Sequence, residues 1–292
     1  RVIVSNPAGN ATSDGAQLAV SLPTDLSQFA QGLVLWYPLD GNASDASGNN
    51  KHATAQNNPQ WVNDTARGAV TKMASGGFSG DGGSHFLVPD LPVTGWQAIT
   101  MSMWLNEETV HSASSGEFYL NIGNGGFGQP ACFYIESSGN PTKRNFSDGV
   151  SWGSTSEYRN RWVHHVVTID ATGTKAYVDG ALVGKHDSAG LYSTIAARYK
   201  NGYSAIGRHW WSGGTSTRYS GKVDDVRIYD RALSAAEVAQ LNKLETPPPL
   251  IAITAPTAGQ VVYENNATLT VALNGLGYHH WHYRLDSSFP NN

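Results

Sequence analysis

The chain carries one cysteine, Cys132, in 292 residues. A lone thiol excludes an internal disulfide framework, and no catalytic signature surrounds it, so it reads as a small buried apolar residue. Charge is scarce too: 14% of residues are Asp, Glu, Lys or Arg, against about a quarter in ordinary soluble proteins. The net charge of −4 leaves no basic surface for nucleic acid and no strongly acidic tail. Long apolar runs are missing as well, so no segment offers the ~20 residues of a membrane-crossing helix.

What fills the chain instead is turn and strand material: 32 glycines with 9 Trp, 13 Tyr and 8 Phe. Short alternating runs recur without helical periodicity between them, among them "LVLWYPL", "AITMSMWL", "ACFYIES", "WVHHVVTID" and "KVDDVRIYD". That pattern predicts an all-β sandwich or barrel. In "AYVDGALV", Asp179-Gly180 separates two such runs, and a two-residue hairpin turn with positive φ twice is expected there. One helix is predicted, at "RALSAAEVAQLNKL". Ser234 and Glu237 have the spacing of a capping box, and Leu233 and Val238 that of a hydrophobic staple.

The stretch "GKVDDVRIYD" poses a problem. In a regular strand Asp225 shares a face with Val223, while Asp224 shares one with Val226 and Ile228. One carboxylate must then point toward apolar neighbours, which requires pairing, hydrogen bonding or a cation. Asp225, Arg227 and Asp230 read as exposed charge pairs.

Three segments separate along the chain. Residues 1–23 read as strand, turn, strand, followed by a connector over 24–30. The main body spans 31–244, and residues 245–250 are a stiff proline linker. Residues 251–292 offer further alternating runs. Asn-x-Ser/Thr acceptors stand at Asn10, Asn42, Asn63, Asn145 and Asn266. With the polar, Lys-poor composition they point to an extracellular, surface-exposed glycoprotein.

Taken in order, "GLVLWYPLDGNASDASGNNKHATA", "GGFSGDGGSHFLVPD", "AITMSMWL", "RWVHHVVTIDATGTKAYVDGALVG" and "YSGKVDDVRIYDRALSAAEV" resemble the laminin G-like, concanavalin A-like jelly-roll family. The resemblance covers the main body and implies two facing antiparallel sheets with a short C-terminal helix. The middle, about 107–160, departs from the family pattern. The terminal segments resemble pieces of immunoglobulin-like surface modules: the last hairpin of one before the jelly roll, the first strands of another after it. The expectation is an excerpt from a longer multidomain array; the alternative is that neighbouring subunits complete the pieces by adding strands.

The resemblance also implies a structural Ca²⁺ at the sandwich edge. Asp224 would supply the closing-strand carboxylate, and the loop "DGNASDASGNN" would add Asp45, Asn49 or Asn50, and backbone carbonyls. Oxygen donors of this kind suit a hard cation. The alternative is that Asp224 accepts backbone N–H bonds and Asp45 caps a turn.

For catalysis the pattern is unfavourable. Glycosidases of this fold use alternating acids on one strand, and no such run exists here; the neighbours Glu107 and Glu108 stand where a strand leaves for a loop. The histidines of "YHHWHYRLD", His280 and His282 among them, lack a third metal ligand. His164 reads as hydrogen-bonded in the interior. The expected role is therefore non-catalytic recognition or adhesion, with glycans, cell-surface or matrix components as partners. "GRHWWSGGTSTRY" offers Arg208, His209, Trp210 and Trp211 in a glycine-bounded loop, and Trp152 is a further candidate, because sugar C–H faces stack on aromatic rings. Two alternatives stand beside this: a building block of an extracellular, homo-oligomeric fibre, and a polysaccharide-degrading enzyme.

Overall fold

The computed structural model describes residues 3–6, 9–12, 27–76, 82–108, 117–123, 132–138, 143–146, 151–152, 158–211, 214–216, 219–246, 250–255 and 270–274. The chain divides into two compact units. One is Asp25–Glu245; the other combines Arg1–Thr24 with Thr246–Asn292.

In the terminal unit, β1 (Ile3–Asn6) pairs antiparallel with β2 (Gly9–Thr12). The larger unit opens with a helical turn, α1 (Ser27–Ala30), then β3 (Leu33–Tyr37), β4 (Thr54–Gln56), β5 (Gln60–Asp64), β6 (Gly68–Met73) and β7 (His85–Leu87). There follow β8 (Ile99–Glu107), β9 (Glu117–Gly123), β10 (Cys132–Ser138), β11 (Lys143–Phe146) and β12 (Ser151–Trp152). A long antiparallel run comes next: β13 (Val163–Asp170), β14 (Gly173–Val178) and β15 (Ala181–Asp187), then helix α2 (Leu191–Ala196). The unit closes with β16 (Ala205–Ile206), β17 (His209–Trp211), β18 (Gly214–Ser216), β19 (Gly221–Tyr229) and helix α3 (Ala235–Glu245). In the terminal unit again, β20 (Leu250–Ala255) pairs with β21 (Thr270–Asn274).

The larger unit is the antiparallel sandwich that the strand pattern predicts. One sheet has the order β12-β11-β10-β9-β16-β7-β4; the other runs β15-β14-β13-β8-β19-β6-β5, with β3 also on β19. Met101, Met103 and Leu105 of β8, Ile122 and Phe133 of the opposite sheet, and Val223 and Ile228 of β19 meet between the sheets and are fully buried. Alternation on β8 sends Thr100, Ser102 and Trp104 to the outer face, yet these are buried too.

That outer face is covered by a second apolar cluster of Val166, Tyr177, Tyr229, Val238 and Leu241, joined by Phe29. The segment expected to be a mere connector thus contributes a core residue. Helix α3 starts with the predicted box: Ser234 N–H donates to Glu237 at 2.8 Å and Glu237 N–H to Ser234 Oγ at 3.2 Å. The Asp179-Gly180 turn has φ 48° and 81°, as a two-residue hairpin between Val178 and Ala181 requires. Helix α2 was not foreseen, because six residues are too few to show a period. No described helix is long and apolar enough to cross a membrane.

Candidate functional site

The two aspartates of β19 do not alternate. Asp224 pairs with Trp104 and Arg227 with Ser102, so Asp225 and Val226 together oppose one residue of β8. This is a β-bulge, and Asp225 takes up the extra length at φ 46°. Both carboxylates therefore reach the same outer-face partner. Arg67 Nε donates to Asp224 at 2.6 Å and Arg67 Nη2 to Asp225 at 2.7 Å. The guanidinium lies 4.2 Å from the centroid of Trp104 and 5.4 Å from that of Trp162. Trp36 Nε1 donates to Asp225 at 2.8 Å, and Arg227 stacks on Trp36 at 4.3 Å.

Arg227 is 8% exposed, which corrects the expectation of a solvated pair; it is ion-paired with Glu245. Glu245 also accepts from Trp104 Nε1 at 2.7 Å. Burial pushes the Asp224 carboxyl up to about 7, against the lowering effect of Arg67 and with Asp225 and Asp40 adding to the rise.

Asp45 lies in a different setting. Its carboxylate accepts backbone N–H bonds from Trp36 at 3.0 Å, Ser47 at 2.9 Å and Lys51 at 2.9 Å. Burial raises its pKa, but these donors outweigh burial and hold it below the ordinary carboxylate value. Asn49 turns its Nδ2 to the carbonyls of Leu33 and Val34, at 2.9 and 3.0 Å. Asp45 and Asn49 thus have protein partners, and the cation facing Asp224 Oδ2 is a guanidinium, while Asp224 Oδ1 is buried without a hydrogen-bond partner among the described residues. Among the described residues no group of three or more His, Cys, Asp or Glu converges on a common point.

Two arrangements bear on catalysis. Ser102 Oγ lies 2.8 Å from His164 Nε2, and Glu245 Oε2 is 3.3 Å from the same nitrogen. A nucleophilic triad needs its acid on the other ring nitrogen, and here Nδ1 faces Asn242 at 3.4 Å. Ser102 and His164 are wholly buried, and the ring stacks on Trp104 at 4.9 Å. Burial and the nearby Arg227 and Arg67 hold His164 well below its ordinary pKa, hence neutral. The adjacent glutamates diverge: Glu107 is buried and accepts from Tyr119 Oη at 2.9 Å, while Glu108 pairs with Lys72 at 2.7 Å.

The aromatic candidates lie on a two-stranded hairpin outside both main sheets. Its register sets Trp210 opposite Thr215 and Trp211 opposite Gly214. The expected loop is therefore a strand pair; the side chains of Trp210 and Trp211, like that of Trp152 in β12, lie outside the described residues. The root of the hairpin is fixed. Gly207 has φ +77°, and a Cβ there would collide with the Met73 methyl group. Gly207 N–H donates to Tyr119 O at 2.9 Å, and Arg208 Nη1 meets His85 Nε2 at 3.2 Å. His209 is buried, and burial lowers its pKa to about 4.

Met73 also underlies a cleft of about 310 Å³, lined by Asn57, Asn58, Gln60, Lys72 and Ser84 among others. Sequence reasoning missed it, since its walls come from four separate stretches. Of the glycosylation acceptors, Asn42 and Asn63 are exposed, Asn10 is in β2, Asn145 in β11, and Asn266, like His280 and His282, lies outside the described residues.

No curated protein sequence matches the chain. A family model of the concanavalin A-like lectin/glucanases superfamily matches residues 80–239. Among solved structures, the binding domain of botulinum neurotoxin DC in complex with SialylT aligns with TM-score 0.53 and 13% identity, over 77% of this chain and 54% of that one. The binding domain of serotype C1 aligns with TM-score 0.55 and 13% identity, over 76% and 54%. The neurotoxin DC domain in complex with rat synaptotagmin II gives 0.53 and 13%, over 76% and 54%. This chain thus spans about half the length of those structures, and the likeness is one of fold. With more than half of its length matched by the family model, the chain belongs to the concanavalin A-like lectin/glucanases superfamily.

Proposed function

We propose that this chain is a non-catalytic carbohydrate-recognition module of an extracellular surface protein. The observation that carries the reading is the hairpin His209–Ser216, which bears two adjacent tryptophans on a root locked by Gly207, Arg208 and His209. Aromatic side chains suit sugar stacking, and a backbone already fixed at its root has less freedom to lose on binding. A solved domain of the same fold is in complex with SialylT, which supports a carbohydrate as the ligand class.

The engagement of the two adjacent glutamates supports binding over hydrolysis. Glycoside cleavage uses two carboxyl groups about 5–9.5 Å apart across an open bond-cleavage site. Here Glu107 is engaged by Tyr119 inside the sandwich and Glu108 by Lys72 at its rim.

The test is a glycan array with the whole chain. Binding that disappears in Trp210→Ala and Trp211→Ala, with melting temperatures unchanged, supports the reading. An array with no signal, joined by filaments in electron microscopy, would replace it with the fibre-building role. Release of reducing ends from a bound polysaccharide would make the protein an enzyme.

A further inference from the structure

We infer that the cleft above Met73 is a subsite for one neutral, hydroxyl-rich sugar unit, next to the tryptophan hairpin. The inference rests on the carbohydrate-binding reading and adds the place and the class of sugar. At about 310 Å³ the cleft is at the small end of ligand sites, which run from about 300 to 1,000 Å³.

Its neutral polar groups are carboxamides and hydroxyls, set beside the apolar Met73 and Ala74. Asn57 and Asn58 come from the turn between β4 and β5, Gln60 from the start of β5, Ser84 from the approach to β7, and Ser220 from the approach to β19. Amides offer donors and acceptors side by side, as sugar hydroxyls demand. Among the described lining residues the one cation is Lys72, and its pairing with Glu108 at 2.7 Å offsets its charge toward a carboxylated sugar.

The turn has a second distinguishing feature. Asn57 and Asn58 have φ 54° and 55°, two successive left-handed residues without a glycine. Asn58 precedes Pro59, which disfavours compact backbone at the preceding residue. Such backbone costs free energy and persists where its surroundings hold it, often at ligand-gripping sites. Here the restraints are visible: Asn57 Nδ2 donates to Gly83 O at 3.1 Å, Gln60 Nε2 donates to Asn58 O at 2.9 Å, and Pro59 is buried. The far wall is pinned by Ala74 N–H donating to Ser84 Oγ at 2.8 Å. Met73 lies under the cleft and against Gly207, so cleft and hairpin root share one side chain.

The experiment is titration calorimetry of the full chain against neutral gluco-, galacto- and arabino-oligosaccharides, with sialyllactose and oligogalacturonate as acidic counterparts. In an Asn58→Gly/Gln60→Ala variant, glycine keeps the left-handed turn while the amides are lost. Neutral-sugar affinity should fall by about tenfold or more at a temperature where the variant is still fully folded. Glu108→Gln, which uncovers the Lys72 charge, should raise affinity for the acidic sugars. Unaltered neutral binding in the double variant removes the cleft from the site, while the Trp210→Ala and Trp211→Ala variants report separately on the hairpin. A parent protein that binds only the acidic sugars overturns the class of ligand; one that binds none of the panel overturns subsite and carbohydrate reading together.

Discussion

Asp224 and Asp225, neighbours in the chain, hold one guanidinium between them: Arg67 Nε is 2.6 Å from the first and Nη2 2.7 Å from the second. A regular strand would send them to opposite faces. The bulge lets both point outward, where the Arg67 and Asp224 side chains are 3% and 5% exposed. A ring of tryptophans excludes water around the ions, and Arg67 Nη1 donates to the carbonyl of Glu245 at 2.9 Å. One arginine thus ties the β5–β6 turn to β19 and to the last residue of α3.

Arg67→Met should remove about 3–5 kcal/mol of stability, the usual cost of leaving a buried charge without its partner. Methionine preserves the packing on Trp104, so the loss reports on charge. Adding Asp224→Asn to that variant should restore part of it. Urea unfolding of the four proteins in a double-mutant cycle measures the coupling; additive losses would mean that the two residues do not act as a pair.

The same aspartate shapes the dependence on pH. Its ordinary value of 3.8 is raised to about 7, so between these limits the folded protein holds a proton that the unfolded chain has lost. The stability this adds is full below about pH 4 and vanishes as pH rises through 7. His209, lowered from 6.5 to about 4, and His164, lowered well below 6.5, act oppositely. The unfolded chain takes up their protons first, so stability drops on acidification below about 6.5. Asp224→Asn should therefore steepen the loss of stability between about pH 6 and 4.5, by up to about 1.4 kcal/mol per pH unit. Equal slopes for parent and variant would show that Asp224 does not carry the proton.

Asp45 is the anchor of the loop after β3. Asp45→Ala deprives three backbone N–H groups of their acceptor, and charged hydrogen bonds contribute about 1.5–3 kcal/mol each at most. A net loss of about 2–4 kcal/mol is expected, with part of it recovered in Asp45→Asn. Because three backbone N–H groups already occupy Asp45 and Arg67 already pairs with Asp224, melting should be the same in EDTA and in millimolar calcium. A calcium-induced rise that Asp45→Ala or Asp224→Ala abolishes would restore the ion to this edge.

How much of this was legible in the sequence depends on the range of the interactions. The capping box at Ser234 and Glu237 and the Asp179-Gly180 turn are local and appear as read. So does the interior hydrogen bonding of His164. The bulge at Asp225 was hidden because alternation assumes regular pairing, and nothing local in "VDDV" marks an extra residue. Arg67 was invisible for another reason: a lone arginine in "DTARGAV" looks like any solvated turn residue, and its partners lie 157 and 158 positions away. The cleft is likewise assembled from distant pieces. In each case short-range chemistry was readable, and what depends on which strand lies beside which was not.

Gly207 connects fold to function, and its replacement is the sharpest probe of the hairpin root. At φ +77° a side chain is strained in any surroundings, and here it would also strike the Met73 methyl group and approach Ser84 O at 3.5 Å. Gly207→Ala should cost about 1–3 kcal/mol from overpacking and backbone strain. Met73 is 1% exposed, so it cannot swing into solvent, and the strain should pass to the cleft it underlies and the hairpin that follows. Sugar affinity should fall further than stability alone explains, at a temperature where the variant is still fully folded. Met73→Ala in the same background vacates the contested volume and should recover sugar binding while lowering stability again through the cavity it leaves. If Gly207→Ala binds sugars as the parent does, the root does not position the binding surface, and the hairpin acts independently of the cleft beneath it.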